Sequence, residues 1–306
     1  MKVLITGVSG FVGQYLESEL HANNYEVVGV GKTPRKNIVV CDVLNRERLL
    51  SVIKDINPDA VVHLAGQTRV HDSWNNPAKT MQLNTLSSIN VLDAVSYLNK
   101  EVRLLFIGSS EQYGMISAEN KFVDENIPTK PVNPYGISKQ AQEDLILSLA
   151  HKRNMDVVLT RSFNHIGPGQ KIGMVIPDFA SSIVKIEKHI QEPIIRVGNL
   201  NLKRDFTDVR DVVKAYLLLI KYGHSGEIYN VGNGKSYLIR SLLDYMIELS
   251  EMEITIEIDV NKFRPIDIPE LICNNKKIYE HCNWLPKIDI KKTLEETVHY
   301  WRNLSS

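Results

Sequence analysis

The sequence predicts an α/β protein built on a doubly wound parallel sheet, and three observations lead to this prediction. Short apolar runs rich in Val, Ile and Leu alternate with longer segments of helical period from residue 2 to about 161. A glycine-rich turn directly follows the first apolar run. The composition, 43% hydrophobic and 24% charged, supplies a large core for a chain of 306 residues.

The apolar runs set the expected order of elements. Strands are predicted in the first half at 2–6, 25–30, 37–41, 59–64, 102–107 and 156–161. Beyond about residue 165 the alternation becomes irregular, and helices are predicted near 174–190, 209–222 and 238–250. We therefore expect a Rossmann-type domain at 1–163 and a smaller substrate-binding portion at 164–306, some late segments of which return to the first domain.

Charge and cysteine content restrict the function classes. The 36 basic residues balance 36 acidic ones, so no overall positive field attracts nucleic acid or an anionic membrane. Cys41, Cys273 and Cys282 form no CxxC pair, which favours free thiols in a reducing compartment and gives no support for a metal site. The apolar start of the chain is too short for a signal peptide, and no window approaches the roughly 20 apolar residues of a membrane span. We expect a cytoplasmic protein.

The glycine-rich turn is the first candidate site. Gly7, Gly10 and Gly13 fall between a predicted buried strand and an amphipathic helix that Phe11 and Val12 open. Glycines at this spacing allow a tight turn and a close backbone approach, and the helix N-terminus presents free N–H groups to an anion. This context predicts that the loop binds the pyrophosphate of a dinucleotide.

The residues after the second and third strands indicate the type of dinucleotide. An NAD site commonly places an acidic residue there, whereas this chain offers Lys32 and Arg35, which could hold a 2′-phosphate. NADPH is therefore the expected cofactor and NADH the alternative; a solvated basic loop is the competing interpretation. Asp42, with Val43 beside it, could accept a hydrogen bond from the adenine amino group. Small residues at the end of the fourth strand should line the cofactor, namely Leu64, Ala65 and Gly66.

A tyrosine and a lysine form the candidate catalytic pair. Pro134 opens a predicted helix on which Tyr135 and Lys139 lie one turn apart. Hydride transfer to a ketone needs an acid for the developing alkoxide, and a phenol can serve if its pKa falls toward neutrality. A fall from about 10 to about 7 requires roughly 4 kcal/mol, which one cation about 4 Å away supplies at an effective dielectric of about 20. We expect Lys139 to lower the pKa of Tyr135.

A serine at the carboxyl end of the fifth strand completes the candidate catalytic group. Ser109 lies at the edge where such sheets bind ligands, and its hydroxyl could bond the same carbonyl oxygen as Tyr135. Ser110 and Glu111 follow directly.

Taken together, these motifs resemble the extended short-chain dehydrogenase/reductase family over essentially the whole chain. They are TGxxGxxG at 6–13, the serine after the fifth strand and YxxxK at 135–139. Three further runs are similar to the branch of the family that acts on GDP-linked sugars, at 109–114, 161–170 and 204–212.

The resemblance implies a reaction and an assembly. Ser109, Tyr135 and Lys139 would form a triad, with NADPH delivering hydride to the C4 ketone of a GDP-linked 4-keto-6-deoxy sugar. A homodimer would form through the helices predicted at 77–99 and 134–153.

The substrate pyrophosphate requires cations or N–H groups. By resemblance, Asn164 and Arg264 are its expected ligands, and Lys203 and Arg204 are further candidates. Arginines beside aspartates also commonly form exposed ion pairs, which is the alternative for Arg204. The other residues expected around the sugar nucleotide are Ser110, Glu111, Phe179, Val197, Gly198 and Asn199.

Glu111 keeps a second activity open. It matches a glutamate that related 4,6-dehydratases use to remove water across C5 and C6. A 4,6-dehydratase or C4 epimerase would recycle its cofactor, whereas a reductase oxidises it. The run Gly-Phe-Val-Gly at 10–13, where those dehydratases have Gly-Gln-Asp-Gly, favours the reductase.

A third alternative is a cofactor-sensing module without catalysis, against which the intact triad argues. A six-carbon and a seven-carbon sugar would place C4 at the same position, so the motifs do not distinguish between them.

Overall fold

The structure is a computed structural model that describes residues 1–35, 37–116, 121–263 and 266–304. Its strands are β1 (Lys2–Thr6), β2 (Glu26–Gly31), β3 (Ile38–Val40), β4 (Ala60–His63), β5 (Arg103–Ser109), β6 (Phe122–Val123), β7 (Val157–Ser162), β8 (Asn164–Ile166), β9 (Ile194–Val197), β10 (Lys203–Asp208), β11 (Ile228–Val231), β12 (Ser236–Leu238), β13 (Thr255–Ile258) and β14 (Ile272–Cys273). Its α-helices are α1 (Phe11–Ala22), α2 (Arg46–Ile56), α3 (Val70–Asn75), α4 (Pro77–Met81), α5 (Ser87–Ser96), α6 (Pro134–Arg153), α7 (Val175–Glu187), α8 (Val209–Tyr222), α9 (Ile239–Glu248), α10 (Lys276–Cys282) and α11 (Ile290–Leu304). A π-helical turn at Gln82–Leu86 joins α4 to α5.

One seven-stranded parallel sheet organises the fold. Its order is β11-β7-β5-β4-β1-β2-β3, and every neighbouring pair runs parallel. The chain starts in the interior of the sheet and extends it in both directions, as a doubly wound sheet does. This confirms the predicted fold class.

Helices cover both faces of the sheet, so its strands are near-continuous apolar runs. On one face, α1 and α8 pack together over a core that includes Leu16, Leu20 and Val213. On the other, α2, α5 and α6 enclose a second core with Leu49 and Ile146. None of the helices within the described ranges is long and apolar enough to cross a membrane.

The smaller portion has its own core and two short sheets among its described residues, β12-β10-β8 and β13-β9. A further pair, β14-β6, joins it to the first portion. Apolar side chains of α7, α9 and α11 form the core with β9, among them Ile183, Leu243 and Leu294. The predicted helices near 174–190, 209–222 and 238–250 are confirmed as α7, α8 and α9.

The seventh strand of the large sheet is one that the sequence did not predict. β11 pairs with β7 through partners such as Ile228 with Leu159 and Val231 with Ser162. The strand is only four residues long, contains the polar Asn230 and is followed by a glycine turn, so the pattern favours a loop. The chain therefore leaves the large sheet after β7 and returns to it at β11.

Candidate active site

The glycine loop at the end of β1 is shaped for an anion. Gly7 has φ +74°, and a Cβ there would lie 2.7 Å from the Ala65 nitrogen. A Cβ on Gly13 would lie 2.5 Å from the Gly7 oxygen, so helix and loop can approach only without side chains. Gly10 caps α1 without a side-chain hydrogen bond, and the first turn contains no acidic residue. The N–H groups of Phe11 and Val12 thus begin a helix whose positive end is available to a phosphate.

The region after β2 and β3, where the adenosine of a dinucleotide would lie, is exposed and already contains ion pairs. Lys32 Nζ lies 2.8 Å from an Asp42 carboxylate oxygen, and Arg35 lies 3.3 Å from Glu17. The Lys32 ammonium holds the pKa of Asp42 below its ordinary value against the opposing effect of burial. The structure therefore brings Lys32 and Asp42 into contact with each other. Val43, next to them, is buried in the second core and its carbonyl accepts from an asparagine side chain.

The end of β4 faces the glycine loop through a buried polar chain. Thr6 Oγ1 lies 2.7 Å from His63 Nδ1, and His63 Nε2 lies 3.1 Å from Ser87 Oγ. Burial lowers the pKa of His63 to about 3, so its ring is neutral. The backbone N–H of Ala65 donates to Thr6 Oγ1, and Leu64 continues the strand pairing with β1.

Gly66 borders an asparagine that the sequence analysis missed. A Cβ on Gly66 would lie 2.8 Å from Asn84 Oδ1, which also accepts from the Gln67 N–H at 2.8 Å. Asn84 Nδ2 donates to Ser138 Oγ at 2.8 Å, so this side chain joins the β4 loop to the catalytic helix. It lies in the π-helical turn, a local irregularity that sequence periodicity does not predict.

The structure brings Ser109, Tyr135 and Lys139 together at the carboxyl edge of β5. Each is at least nine-tenths buried. The Ser109 hydroxyl lies close enough to the Tyr135 phenol to lower its pKa against the effect of burial. Lys139 Nζ donates to the carbonyl of Ile107 at 2.7 Å and to Gln142 Oε1 at 3.1 Å. A serine hydroxyl, a phenol and an ammonium group thus meet where the reacting end of the cofactor would lie.

Burial dominates the electrostatics of this group. It raises the pKa of Tyr135 to about 12, with the hydrogen bond from Ser109 opposing and the Glu111 carboxylate adding to the rise. Desolvation lowers the pKa of Lys139 to about 8. The expected fall of the Tyr135 pKa toward neutrality is therefore wrong for the chain by itself, because burial has the largest effect on the phenol and Lys139 is not among the groups that lower its pKa.

Glu111 is held by the residue that caps the catalytic helix. Asn133 Nδ2 donates to Glu111 Oε2 at 2.7 Å, and Asn133 Oδ1 accepts from the Gly136 N–H at 2.8 Å. Sequence reasoning could have found Asn133, since an asparagine directly before proline is a strong N-cap signal. The arrangement fixes the carboxylate beside Tyr135.

A small cavity joins this edge to the smaller portion. Its lining contains four predicted substrate residues and three apolar ones, namely Ser110, Glu111, Phe163, Asn164, Arg204, Ile268 and Leu271. Arg204 donates to the Ile268 carbonyl at 2.7 Å and lies 3.7 Å from Asp267. Polar groups that recognise an anion are thus present next to the candidate catalytic group.

The other predicted substrate residues lie outside that cavity lining. Phe179 and Val197 are buried in the core of the smaller portion. Gly198 packs against the Lys262 backbone, Asn199 Oδ1 accepts from the Asn201 N–H, and Lys203 lies 3.7 Å from Glu270. Arg264 lies outside the described residues. Within the described part of the chain, no cluster of three or more His, Cys, Asp or Glu could hold a metal ion.

A parallel doubly wound sheet, a glycine loop with an uncapped helix and a Ser-Tyr-Lys group at the strand ends define a nicotinamide-dependent short-chain dehydrogenase/reductase. The comparisons with known proteins narrow that class. Residues 4–297 match the family described as GDP-mannose 4,6 dehydratase, and the chain belongs to it.

Two relatives match most of this chain. The chain is 33% identical to the GDP-6-deoxy-D-mannose reductase of Pseudomonas aeruginosa, covering 99% of this chain and 97% of the relative. It is 32% identical to the GDP-6-deoxy-D-talose 4-dehydrogenase of Aggregatibacter actinomycetemcomitans, covering 91% and 90%. Among solved structures, RMD from Pseudomonas aeruginosa complexed with NADPH superposes with a TM-score of 0.90 at 33% identity, covering 99% of each chain.

Proposed function

We propose that this protein reduces the C4 ketone of a GDP-linked 4-keto-6-deoxy sugar with NADPH, giving GDP-D-rhamnose or a close relative. The observation that carries the proposal is the burial of Ser109, Tyr135 and Lys139 together at the carboxyl edge of β5, with Tyr135 and Lys139 one turn apart on α6. The similarity to a GDP-6-deoxy-D-mannose reductase over the full chain supports the choice of substrate and direction. The NADPH complex of a relative with the same fold supports the choice of cofactor.

The residues present fit the chemistry of ketone reduction. Bound NADPH would supply the hydride. Tyr135, whose raised pKa keeps its hydroxyl protonated, donates that proton to the oxygen that develops at C4. Ser109, which lies close to Tyr135, can donate a hydrogen bond to the same oxygen. Lys139 provides a positive charge that stabilises the phenolate left behind.

We assign the residues that line the cavity next to this group to the diphosphate side of the substrate. Asn164 and Arg204 line it and can offer N–H donors to phosphate oxygens. Phe179, Val197, Gly198 and Asn199 remain proposed neighbours of the nucleoside, and Arg264 remains a proposed diphosphate ligand.

One observation favours a second candidate function, elimination of water across C5 and C6. Asn133 holds the Glu111 carboxylate 2.7 Å away, in the cavity that Asn164 and Arg204 also line. A fixed carboxylate at that place could remove a proton from the sugar. Such an enzyme would leave the amount of oxidised cofactor unchanged.

NADPH absorbance after addition of GDP-4-keto-6-deoxy-D-mannose tests the proposal. Wild-type protein should oxidise one NADPH per sugar, and Tyr135→Phe should lose the activity. Tyr222→Phe is the matched control, since Tyr222 is 55% exposed. Absence of oxidation by the wild type would overturn the proposal. GDP-mannose without added reduced cofactor would then be assayed for elimination, with Glu111→Gln as the diagnostic variant.

We also propose that the protein acts as a homodimer in the cytoplasm. Apolar side chains on α6 are exposed, with Ile137 at 48% and Leu145 at 41%, and a second copy could cover them. The free cysteines at 41, 273 and 282 suit a reducing compartment. Sedimentation should show a dimer that Ile137→Lys dissociates. Ile258→Lys, on β13, is the control; a wild-type monomer would refute the dimer.

A further inference from the structure

A buried polar network outside the catalytic group reaches the backbone of Ser109. The N–H of Ser109 donates to Gln112 Oε1 at 2.8 Å. Gln112 Nε2 donates in turn to Glu143 Oε2 at 2.8 Å and to Gln140 Oε1 at 3.2 Å. Gln112 is fully buried. One amide side chain thus connects the catalytic serine to the helix that carries Tyr135.

The far end of the network is an ion pair. Arg161 on β7 binds Glu143 through two nitrogens, at 3.0 and 2.7 Å, and both side chains are at most 6% exposed. Arg161 also lies over the Tyr113 ring, 4.9 Å from its centroid. The Tyr113 hydroxyl donates to Asn230 Oδ1 on β11 at 2.7 Å. The network therefore links the turn after β5 with α6, β7 and β11.

The backbone around the network is closely packed. A Cβ on Gly108 would lie 2.5 Å from Gln112 Oε1 and 2.3 Å from the Thr160 oxygen. A Cβ on Gly136 would lie 2.6 Å from the Glu111 oxygen, so the first turn of α6 rests directly on the turn that contains Gln112. A shift of Gln112 would thus be transmitted to Ser109 on one side and to α6 on the other.

We propose that Gln112, anchored by the Glu143–Arg161 ion pair, is a positioning residue that sets the place of Ser109 relative to Tyr135. The proposal rests on the proposed function and adds residues to it. A buried ion pair by itself contributes little net stability compared with apolar packing. Its value here lies in fixing an orientation for Gln112, and catalysis depends strongly on such placement.

Two variants of Gln112 test the proposal. Gln112→Leu leaves the Ser109 N–H without its acceptor, and kcat should fall about 100-fold with the sugar KM changed less than about threefold, as expected when only placement is lost. In Gln112→Glu, a protonated carboxyl can still accept from Ser109 and donate to Glu143, whereas a carboxylate opposes Glu143. Its kcat should match wild type at acidic pH and fall relative to wild type as pH rises.

The pH response has few other sources nearby. Glu143 is the charged side chain hydrogen-bonded to Gln112, and Arg161 reaches that same carboxylate from β7. Gln140 is uncharged, and the Glu111 side chain is bound to Asn133. Wild type carries the same groups, so the ratio of the Gln112→Glu kcat to the wild-type kcat at each pH reports the ionisation of residue 112 alone.

The control variant breaks an ion pair on the same two strands at their opposite ends. Arg103 Nε at the start of β5 donates to Asp156 just before β7 at 2.6 Å. Asp156→Asn should lower thermal stability and leave kcat and its pH profile unchanged. A Gln112→Glu profile parallel to wild type, or a Gln112→Leu kcat equal to that of Asp156→Asn, would overturn the proposal.

The rate of hydrogen exchange at the Ser109 backbone amide tests the proposal without a measurement of enzyme activity. Gln112→Leu should expose this N–H and speed its exchange, whereas Gln112→Glu at acidic pH and Asp156→Asn should leave it protected. If wild type fails to oxidise NADPH with the keto sugar, the proposed function fails, and exchange still decides the placement of Ser109. Unchanged exchange in Gln112→Leu would refute the link between these residues.

Discussion

The two ends of the proposed cofactor site are built differently. At the reacting end, Ser109, Tyr135 and Lys139 are 7 to 9% exposed, and burial moves the pKa of Tyr135 upward and that of Lys139 downward. At the adenosine end, the Lys32 and Asp42 side chains are 61% and 41% exposed and form an ion pair. Charges in the first region are governed by desolvation and those in the second are screened by water.

The difference indicates where the protein tolerates change. Exposed ion pairs contribute at most about 1 kcal/mol, so the adenosine end can exchange partners at little cost. The reacting end has no comparable freedom, because each buried polar group there depends on a particular partner. Cofactor preference is thus easier to alter than chemistry.

Gly13→Ala should give the largest effect. The added Cβ would lie 2.5 Å from the Gly7 oxygen and 2.6 Å from Val8 Cα, both backbone atoms that cannot move aside. We expect a loss of stability of several kcal/mol and loss of NADPH binding. Gly31→Ala is the control at the adenosine end, where the nearest atom, Ser9 Oγ, is 3.5 Å away. Thermal unfolding and fluorescence titration measure both; equal effects would contradict the structure.

Removal of a cation should act on different kinetic constants at the two ends. Lys139→Met should lower kcat by about 100- to 1,000-fold, the range typical of groups that assist proton transfer. Lys32→Met should raise the KM for NADPH about tenfold, the loss of one charge-assisted contact, with kcat unchanged. Steady-state kinetics with both nucleotides checks this. A large kcat effect of Lys32→Met would remove the distinction between the ends.

Acid should destabilise the protein through His63. Its pKa is about 3 in the folded protein and 6.5 ordinarily, so between these values the unfolded chain binds more protons. Stability is therefore present above pH 6.5 and lost as pH falls toward 3. The loss is about 2–3 kcal/mol between pH 6.5 and 4.5. Urea unfolding should show that His63→Gln lacks this part of the pH dependence. If the free energy of unfolding varied with pH equally in wild type and His63→Gln, His63 would be binding its proton in the folded protein as well.

The smallest expected effect is at Asp42. Asp42→Asn removes the carboxylate that pairs with Lys32 and keeps an oxygen for the Leu44 N–H, which now donates to Asp42 at 3.0 Å. Because Lys32 then has no ion-pair partner at Asp42, the KM for NADPH should fall about threefold, and the KM for NADH should be unchanged. The corresponding gain in binding free energy is under about 1 kcal/mol. An equal change for both nucleotides would mean that Asp42 acts on adenine and not through Lys32.

Sequence reasoning found the parts of the fold and site that are local. The strands from β1 to β7 in the large sheet are contiguous apolar runs. The glycine loop lies directly before α1, and Tyr135 and Lys139 lie on the single helix α6, so each motif is contained in a short stretch of sequence. β11 was missed because four residues before a glycine turn are too few to show a period.

Part of the buried network depends on contacts between distant positions. Gln112, Glu143 and Arg161 meet through side chains that come from a turn, a helix and a strand. No spacing in the sequence records that meeting. The direction of the Tyr135 pKa shift was wrong for a related reason: the motif supplies the neighbouring lysine, whereas the loss of water comes from the packing of the whole sheet edge.

The late return of the chain at β11 has a consequence for synthesis on the ribosome. β7 emerges about seventy residues before β11, which at 5–20 residues per second is a delay of about 4–14 s. During that time β7 is an edge strand with open N–H and C=O groups, the kind of surface that recruits another chain. A growing polypeptide of this protein thus exposes the β7 edge until about half of the smaller portion has been made, so its synthesis passes through a brief stage that favours aggregation.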